Sequence, residues 1–342
     1  MKKFLLPEAG NFYKANMHCH TTISDGKLTP EEVKKLYMDN GYSIVAYTDH
    51  DVLLSHPELA SPDFLPLNGY EMEFTETGDK HITEKRTFHI CCIALDPSNL
   101  TQVCYHREKY AIGNGKSYRD KIIFDQSIPD FEREFDPDNL NEAVKTARDA
   151  GFFVTLNHPV WSLTNYSHNS KIVGINAMEM YNYSCIVGGF NDINEWEYDG
   201  FLRDNKRIFC VGGDDNHNVY PFPSRRSDSC GAFTVIKADK LEYKAITDAL
   251  LAGNFYASMG PEIKELWFED GFVNVTTSPA DRIIMHTGVR PTYPVYAEKG
   301  QTITSARFEV KPEHKYVRFT VFDSNNISAT TNAYFTDELF GN

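Results

Sequence analysis

The chain has 342 residues, 41% of them hydrophobic and 24% charged, enough for one large core and a smaller second unit. Its formal net charge of −14 repels polyphosphate backbones at long range, which disfavours long nucleic acid as a partner. A small phosphorylated substrate can still bind where a local cationic site outweighs that field.

No stretch approaches the length of a membrane span, and the apolar run Phe4-Leu5-Leu6-Pro7 is too short for a signal peptide. The seven cysteines are odd in number, lack a CxxC pair and sit mostly in apolar runs. They are expected to be reduced, buried thiols of a cytoplasmic protein.

Up to Gly260 short apolar strands alternate with helices. Strands are expected at 16–20, 43–48, 64–72, 87–95, 152–157, 175–181 and 207–212. Several are continuous β-branched or aromatic runs, as in parallel strands buried on both faces. The first helix starts at the capping box Thr29-Pro30-Glu31-Glu32 and stops at Gly41. Further helices are expected over 139–150, 191–205 and 240–252. The alternation implies an α/β fold over residues 1–260. After Gly260-Pro261 short alternating strands follow at 263–269, 272–277, 282–286, 307–310, 316–322 and 333–335. Residues 261–342 are therefore expected to form a small antiparallel, β-sandwich-like domain. The segment 98–130 is loop-like and locally basic, with Arg107, Lys109, Lys116, Arg119 and Lys121. It reads as a surface excursion, with a lid as the second reading.

Candidate metal ligands recur where these strands end. His18 and His20 flank Cys19 at the end of the first strand, and i, i+2 spacing puts both imidazoles on one face. Asp25 follows in the turn Ser24-Asp25-Gly26; His50 lies in Thr48-Asp49-His50-Asp51; Glu71 follows Gly69-Tyr70. His89 sits in the fourth strand, His158 in Asn157-His158-Pro159, and Asp215 and His217 flank Asn216 after the seventh. Asp214 and Glu73 are second choices to Asp215 and Glu71. Each histidine alone reads as a surface or core residue; the ordered series carries the signal. Sites in parallel α/β folds form at the carboxyl ends of strands. Imidazole with carboxylate suits zinc, manganese or iron better than magnesium or calcium.

This series, from His18-x-His20 through Asp215-x-His217, resembles the PHP (polymerase and histidinol phosphatase) family of metal-dependent phosphoesterases. The resemblance implies a distorted (β/α)7 barrel and two or three divalent ions. One ion would take His18, His20, Glu71 and Asp215; a second would share Glu71 and add His89 and His158; a third would take Asp25, His50 and His217. It also implies hydrolysis of a small phosphomonoester, a nucleotide or a short oligonucleotide by a metal-bound hydroxide. Among the remaining polar residues, Asp49 is a candidate orienter of a histidine ligand. His168 is a candidate general acid, and Arg225 and Arg226 are candidate phosphate contacts. Two other readings stand beside this one. Amidohydrolase chemistry would use the same hydroxide on a carbonyl. A carbohydrate- or partner-binding role would use exposed aromatics of the β-domain, with Tyr293, Tyr296 and Tyr316 as candidates.

Overall fold

The structure, a computed structural model, describes residues 2–341, so Met1 and Asn342, the outermost residues of the two expected units, lie outside the described residues. Strands β1 (Lys3–Phe4) and β2 (Asn11–Asn16) precede helix α1 (Pro30–Asp39). Thr29 caps this helix as expected: its hydroxyl accepts from the Glu32 N–H at 3.3 Å, and the Glu32 carboxylate accepts from the Thr29 N–H at 2.9 Å. Next come β3 (Ile44–Tyr47), β4 (Leu65–Thr75), β5 (Thr87–Ala94), α2 (Pro137–Asp149), β6 (Phe152–Leu156) and α3 (Tyr166–Asn169). They are followed by β7 (Ala177–Asn182), α4 (Tyr183–Val187), α5 (Glu195–Arg203), β8 (Phe209–Gly213), β9 (Phe233–Ala238), α6 (Tyr243–Ala252) and β10 (Phe255–Ser258). The remainder is β11 (Ile263–Glu269), β12 (Phe272–Ala280), β13 (Arg282–Thr287), β14 (Tyr293–Tyr296), β15 (Ile303–Glu309), β16 (Tyr316–Phe322), β17 (Ser328–Thr331), β18 (Tyr334–Phe335) and α7 (Thr336–Phe340).

These strands form a mixed α/β architecture with one 14-stranded sheet and one 4-stranded sheet. The large sheet runs β14-β13-β16-β17-β10-β9-β2-β3-β4-β5-β6-β7-β8, with β18 on β16. Pairing is parallel from β2 to β4 and from β6 to β8. It is antiparallel on both sides of β5 and between β2 and β9, a departure from the all-parallel expectation. The closed barrel implied by the resemblance is not formed by this strand pairing, because the path ends at β8. Backbone just beyond the two strands joins the end of β8 to the end of β2: Asp215 N–H donates to the His18 carbonyl at 2.9 Å and His20 N–H to the Asn216 carbonyl at 3.1 Å. The sheet thereby curls so that its strand ends face one another.

Helix α2 buries Leu140, Ala143, Val144 and Ala147 in one core with Ile90 of β5 and Phe152 and Val154 of β6. The small antiparallel sheet, β1-β11-β12-β15, shares a second core with the far end of the large sheet. There Leu266, Val273, Val275 and Phe308 meet Ile283, Met285, Val317 and Phe319. Hydrogen bonding crosses position 260, since β17 pairs with β10. Arg318 of β16 is fully buried and reaches Asp199 of α5 through Nε at 2.8 Å and Nη2 at 2.9 Å. Of the three tyrosines considered for binding, Tyr293 and Tyr296 are exposed, whereas Tyr316 is buried and donates to Asp199.

In the 98–130 segment Arg107, Lys109 and Arg119 are tied down locally, whereas Lys116 is exposed. Arg107 pairs with Asp130, Lys109 with Glu132 at 2.6 Å, and Arg119 donates to the carbonyls of Ala111 and Glu108. All seven thiols are unpaired; six are buried and Cys230 is half-buried. Among the described residues no helix is long and apolar enough to cross a membrane.

Candidate metal centre

The expected first strand ends before its histidines: β2 stops at Asn16, and His18-Cys19-His20 continues as extended backbone bridged to Asn216. Alternation still puts His18 and His20 on one side, with their Nε2 atoms 3.0 Å apart. Close approach demands glycine here: a Cβ on Gly213 would lie 3.0 Å from the His18 Cβ. The next turn carries Asp25. Asp49 organises it, accepting from the Thr21 N–H at 2.8 Å, the Ser24 N–H at 3.1 Å and the Ser24 hydroxyl at 2.7 Å. A Cβ on Gly26 would lie 2.5 Å from the His20 carbonyl oxygen, so this turn closes only with glycine. Asp49 therefore acts through the turn and does not line the cavity.

Glu71 on β4 is the hub. Its Oε1 lies 3.2 Å from His18 Nε2, 3.2 Å from His89 Nδ1 and 3.3 Å from His158 Nε2. Its Oε2 lies 3.4 Å from His20 Nε2 and 3.2 Å from His50 Nδ1. Asp215 Oδ1 is 3.0 Å from His20 Nε2 and 3.3 Å from His18 Nε2. Asp25 Oδ2 is 3.4 Å from His217 Nε2 and 3.9 Å from His50 Nε2. Ligand atoms within 4.8 Å of one another define five groups that could hold an ion: His20, Asp25, His50 and His217; His18, His20 and Asp215; His50, Glu71 and His89; His18, His158 and Glu179; and His18, Glu71 and Cys91. The structure thus brings together all nine residues read as candidate ligands.

The donor set fits divalent cations. Glu71 Oε2 and His89 Nδ1 are buried and make no hydrogen bond of acceptable geometry, although nitrogens and oxygens crowd around them. Unsatisfied buried polar atoms are costly, and coordination would satisfy both. Two of the residues also carry strained backbone, with φ of 24° at His158 and 53° at Asp215. Without ions the cluster is held by charge. Burial acts against charging His18, but Asp215, Cys91, Glu71 and Glu179 outweigh it and hold the imidazole well above its usual range. His20 is raised the same way by Asp215 and Glu71, and His158 is pushed up to about 9 by Glu71 and Asp215 against the effect of burial. His50 is the exception: burial, then the neighbouring His20, push it down to about 4. Glu71 and Asp215 are held below the usual carboxylate range, the imidazoles overcoming burial.

Several supporting residues escaped the sequence reading. Glu179, in the middle of β7, accepts from His18 Nδ1–H at 2.8 Å and from the His158 N–H at 2.9 Å. Asn157 donates to Glu71 Oε1 at 2.6 Å, and Cys91 groups with His18 and Glu71. An acid between Met178 and Met180 in a strand buried along its whole length was the available signal for Glu179. Of the two second choices, Asp214 turns away and accepts from the backbone N–H groups of Cys230, Gly231 and Ala232. Glu73 lines a neighbouring groove.

Three residues read as catalytic do not reach the cluster. His168 closes a capping turn, its Nδ1 accepting from the Asn165 N–H, and its Nε2 lies 2.6 Å from Arg86 beside a separate surface cavity. Arg225 and Arg226 are exposed, and Arg226 stacks on Tyr220 with its guanidinium carbon 3.8 Å from the ring centre. The cavity over the cluster has a volume of about 300 Å³; beyond the ligands it is walled by Trp161, Ser184, Cys185, Gly188 and Phe190.

No family model and no curated protein matches the chain. Among solved structures it is similar to a two-domain protein containing a predicted PHP-like metal-dependent phosphoesterase from Bacteroides vulgatus, at 14% identity over 96% of this chain and 98% of that one, with a TM-score of 0.43. A candidate metal-dependent phosphoesterase from Bifidobacterium adolescentis is 17% identical over 62% of this chain and 89% of its own, with a TM-score of 0.36. An amidohydrolase from Chromobacterium violaceum with bound sulfate and no metal is 16% identical over 59% and 87%, with a TM-score of 0.35. At these identities and scores the chemistry is read from the side chains of the chain itself.

Proposed function

We propose that the chain is a metal-dependent phosphoesterase that cleaves a small phosphate ester at a di- or trinuclear site of zinc, manganese or iron. The observation that carries this reading is the convergence of five imidazoles on the two oxygens of one buried carboxylate, Glu71. Asp215 and Asp25 extend that convergence on either side. When bound, the ions would supply an acidified water as nucleophile and positive charge for the phosphoryl oxygens. They are needed for the second role, because among the described residues no lysine or arginine lines the cavity.

The chain's own residues do the positioning. His18, His20, Glu71 and Asp215 would hold one ion, Glu71 with His89 and His158 a second, and Asp25, His50 and His217 a third. Glu179 accepts from His18 Nδ1–H and so leaves the Nε2 lone pair facing the cluster. Asn157 fixes the rotamer of the Glu71 carboxylate. Trp161 and Phe190 restrict water at the mouth. In this reading residues 1–260 form a barrel-like catalytic unit, and residues 261–342 cover one flank of it.

The test is metal content by mass spectrometry of the purified protein, paired with a phosphoester panel before and after chelation. Two or three ions per chain, with phosphate release that chelation and His18→Ala both abolish, is the expected result. Fewer than one ion per chain and no activity after adding zinc, manganese or iron would overturn the reading. Activity on amides or lactones alone would replace it with amidohydrolase chemistry.

A further inference from the structure

A groove of about 560 Å³ opens directly beside the metal cavity and shares His50, His89, Trp161 and Phe190 with it. Its outer wall gathers large apolar side chains that face solvent: Ile82 is 63% exposed, Ile112 71%, Trp161 43%, Leu163 44% and Phe190 38%. Such residues scattered singly need no explanation, but here they converge from separate segments onto one concavity. Leu163 adds an independent sign. Its φ of 57° is left-handed, a conformation disfavoured by roughly 1–2 kcal/mol for a residue with a Cβ, and it is spent on an apolar side chain exposed in the groove. Charge is scarce there: Lys85 is the sole lysine or arginine on the walls of either cavity among the described residues, and Glu73 faces the same groove.

We propose that this groove holds the leaving group of the substrate, and that this group is flat and apolar, so that the substrate is an aryl-type phosphomonoester. The inference rests on the phosphoesterase reading and narrows it. The phosphoryl group sits over Glu71 and its histidines. The ester oxygen then points past His89 and Trp161, and the ring lies against Ile82, Ile112 and Leu163. A second phosphate or a phosphodiester backbone would meet Glu73 with only Lys85 to answer it, which disfavours bisphosphates and oligonucleotides. Hydrolysis adds water across the P–O bond, releasing inorganic phosphate and the free hydroxyl compound; no redox partner is required.

The experiment compares kcat/KM for 2-naphthyl phosphate and glycerol 3-phosphate with the metal-loaded full chain. A preference on the order of 30-fold or more for the naphthyl ester is expected from the apolar area the groove can cover. Leu163→Asn keeps a residue that tolerates left-handed backbone and should cut the naphthyl value on the order of 10-fold while changing the glycerol value less than about 2-fold. Ile82→Asn provides the same comparison on an exposed site. Equal kcat/KM for the two esters, or variants that lower both values alike, would overturn the proposal. Hydrolysis of other phosphoesters but not of 2-naphthyl phosphate would likewise overturn it. If no phosphoester of the panel is hydrolysed, the phosphoesterase reading fails, and the groove is then judged by binding of 2-naphthol: saturable binding weakened by Leu163→Asn retains it, and no saturable binding refutes it.

Discussion

Glu179 offers the sharpest perturbation of the centre because it supports two candidate ligands without lining the cavity. Its Oε1 accepts from His18 Nδ1–H at 2.8 Å, and its Oε2 accepts from the His158 N–H at 2.9 Å and from Asn182 Nδ2 at 2.9 Å. Glu179→Gln keeps the shape and removes one acceptor. Either orientation of the new amide then sets an NH₂ against an N–H donor, at His18 or at His158. Facing His18, it favours the wrong tautomer and turns a protonated Nε2 toward the cluster. Loss of such a supporting carboxylate typically lowers metal affinity or activity 10–100-fold, or about 1.4–2.7 kcal/mol. Competition between the protein and a chromogenic chelator for zinc or manganese measures the dissociation constant, and thermal unfolding of the metal-free protein gives the structural control. The expected result is weaker metal binding well beyond any change in the metal-free melting temperature. Metal affinity unchanged within about 3-fold, with the metal-free protein destabilised, would show that Glu179 is a packing residue and refute the reasoning.

Two further outcomes follow from charge. In the metal-free protein His158 is raised to about 9 by Glu71 and Asp215. That stabilisation is fully present below about pH 6.5 and is lost as pH rises through about 9, a contribution on the order of 3 kcal/mol. Metal binding needs the same imidazole neutral, so ion affinity rises over that window, and His50, already pushed down to about 4, adds nothing to the slope there. The gap in melting temperature between loaded and chelated protein should therefore widen from pH 6.5 to 9; a constant or narrowing gap by scanning fluorimetry contradicts this. At the other end of the molecule, Asp199→Ala strips the carboxylate that pairs with Nε and Nη2 of the fully buried Arg318 and leaves Glu195, 3.8 Å from Nη1. Breaking a buried pair from one side costs about 3–5 kcal/mol, an upper bound here because Glu195 remains. Denaturant unfolding should register that loss, and Asp199→Ala with Arg318→Leu should recover part of it; a single variant within 1 kcal/mol of the parent would mean water reaches the pair.

The ligands were legible because each lies at a place where chain direction, and hence side-chain direction, is set by short-range rules. His18 and His20 share a face by alternation whether or not the strand is formally continued, so ending β2 at Asn16 moved the boundary and left the geometry intact. Strand orientation was not legible in the same way. All eight residues of β5 are buried, and a run buried on both faces reads alike in parallel and antiparallel pairing. Strands β9 and β10 were missed as short runs on either side of α6, where they pair antiparallel with each other and depart from the parallel strand-helix alternation. β17 was missed because Ser-Ala-Thr-Thr is polar in sequence yet buried between β10 and β16. His168 misled because a histidine at fixed spacing carries no direction; the capping turn that aims it at Arg86 depends on Asn165 and on the fold around it.

Asp214 and Asp215 show where sequence spacing stops and local backbone takes over. Both are buried, adjacent acids, and both precede His217. Asp214 continues the direction of β8 and is consumed by three backbone N–H groups and the Tyr37 hydroxyl, fixing the 230–232 turn against α1. Asp215 takes a left-handed conformation at φ 53°, which swings its carboxylate to the opposite side, 3.0 Å from His20 Nε2. A strained residue persists only where its surroundings hold it, and here the restraint is the hydrogen bond from Asp215 N–H to the His18 carbonyl. One carboxylate thus fastens the loop while its neighbour faces the ligands. The strain at Asp215 is borne by the same strand-end contact that brings β8 back to β2.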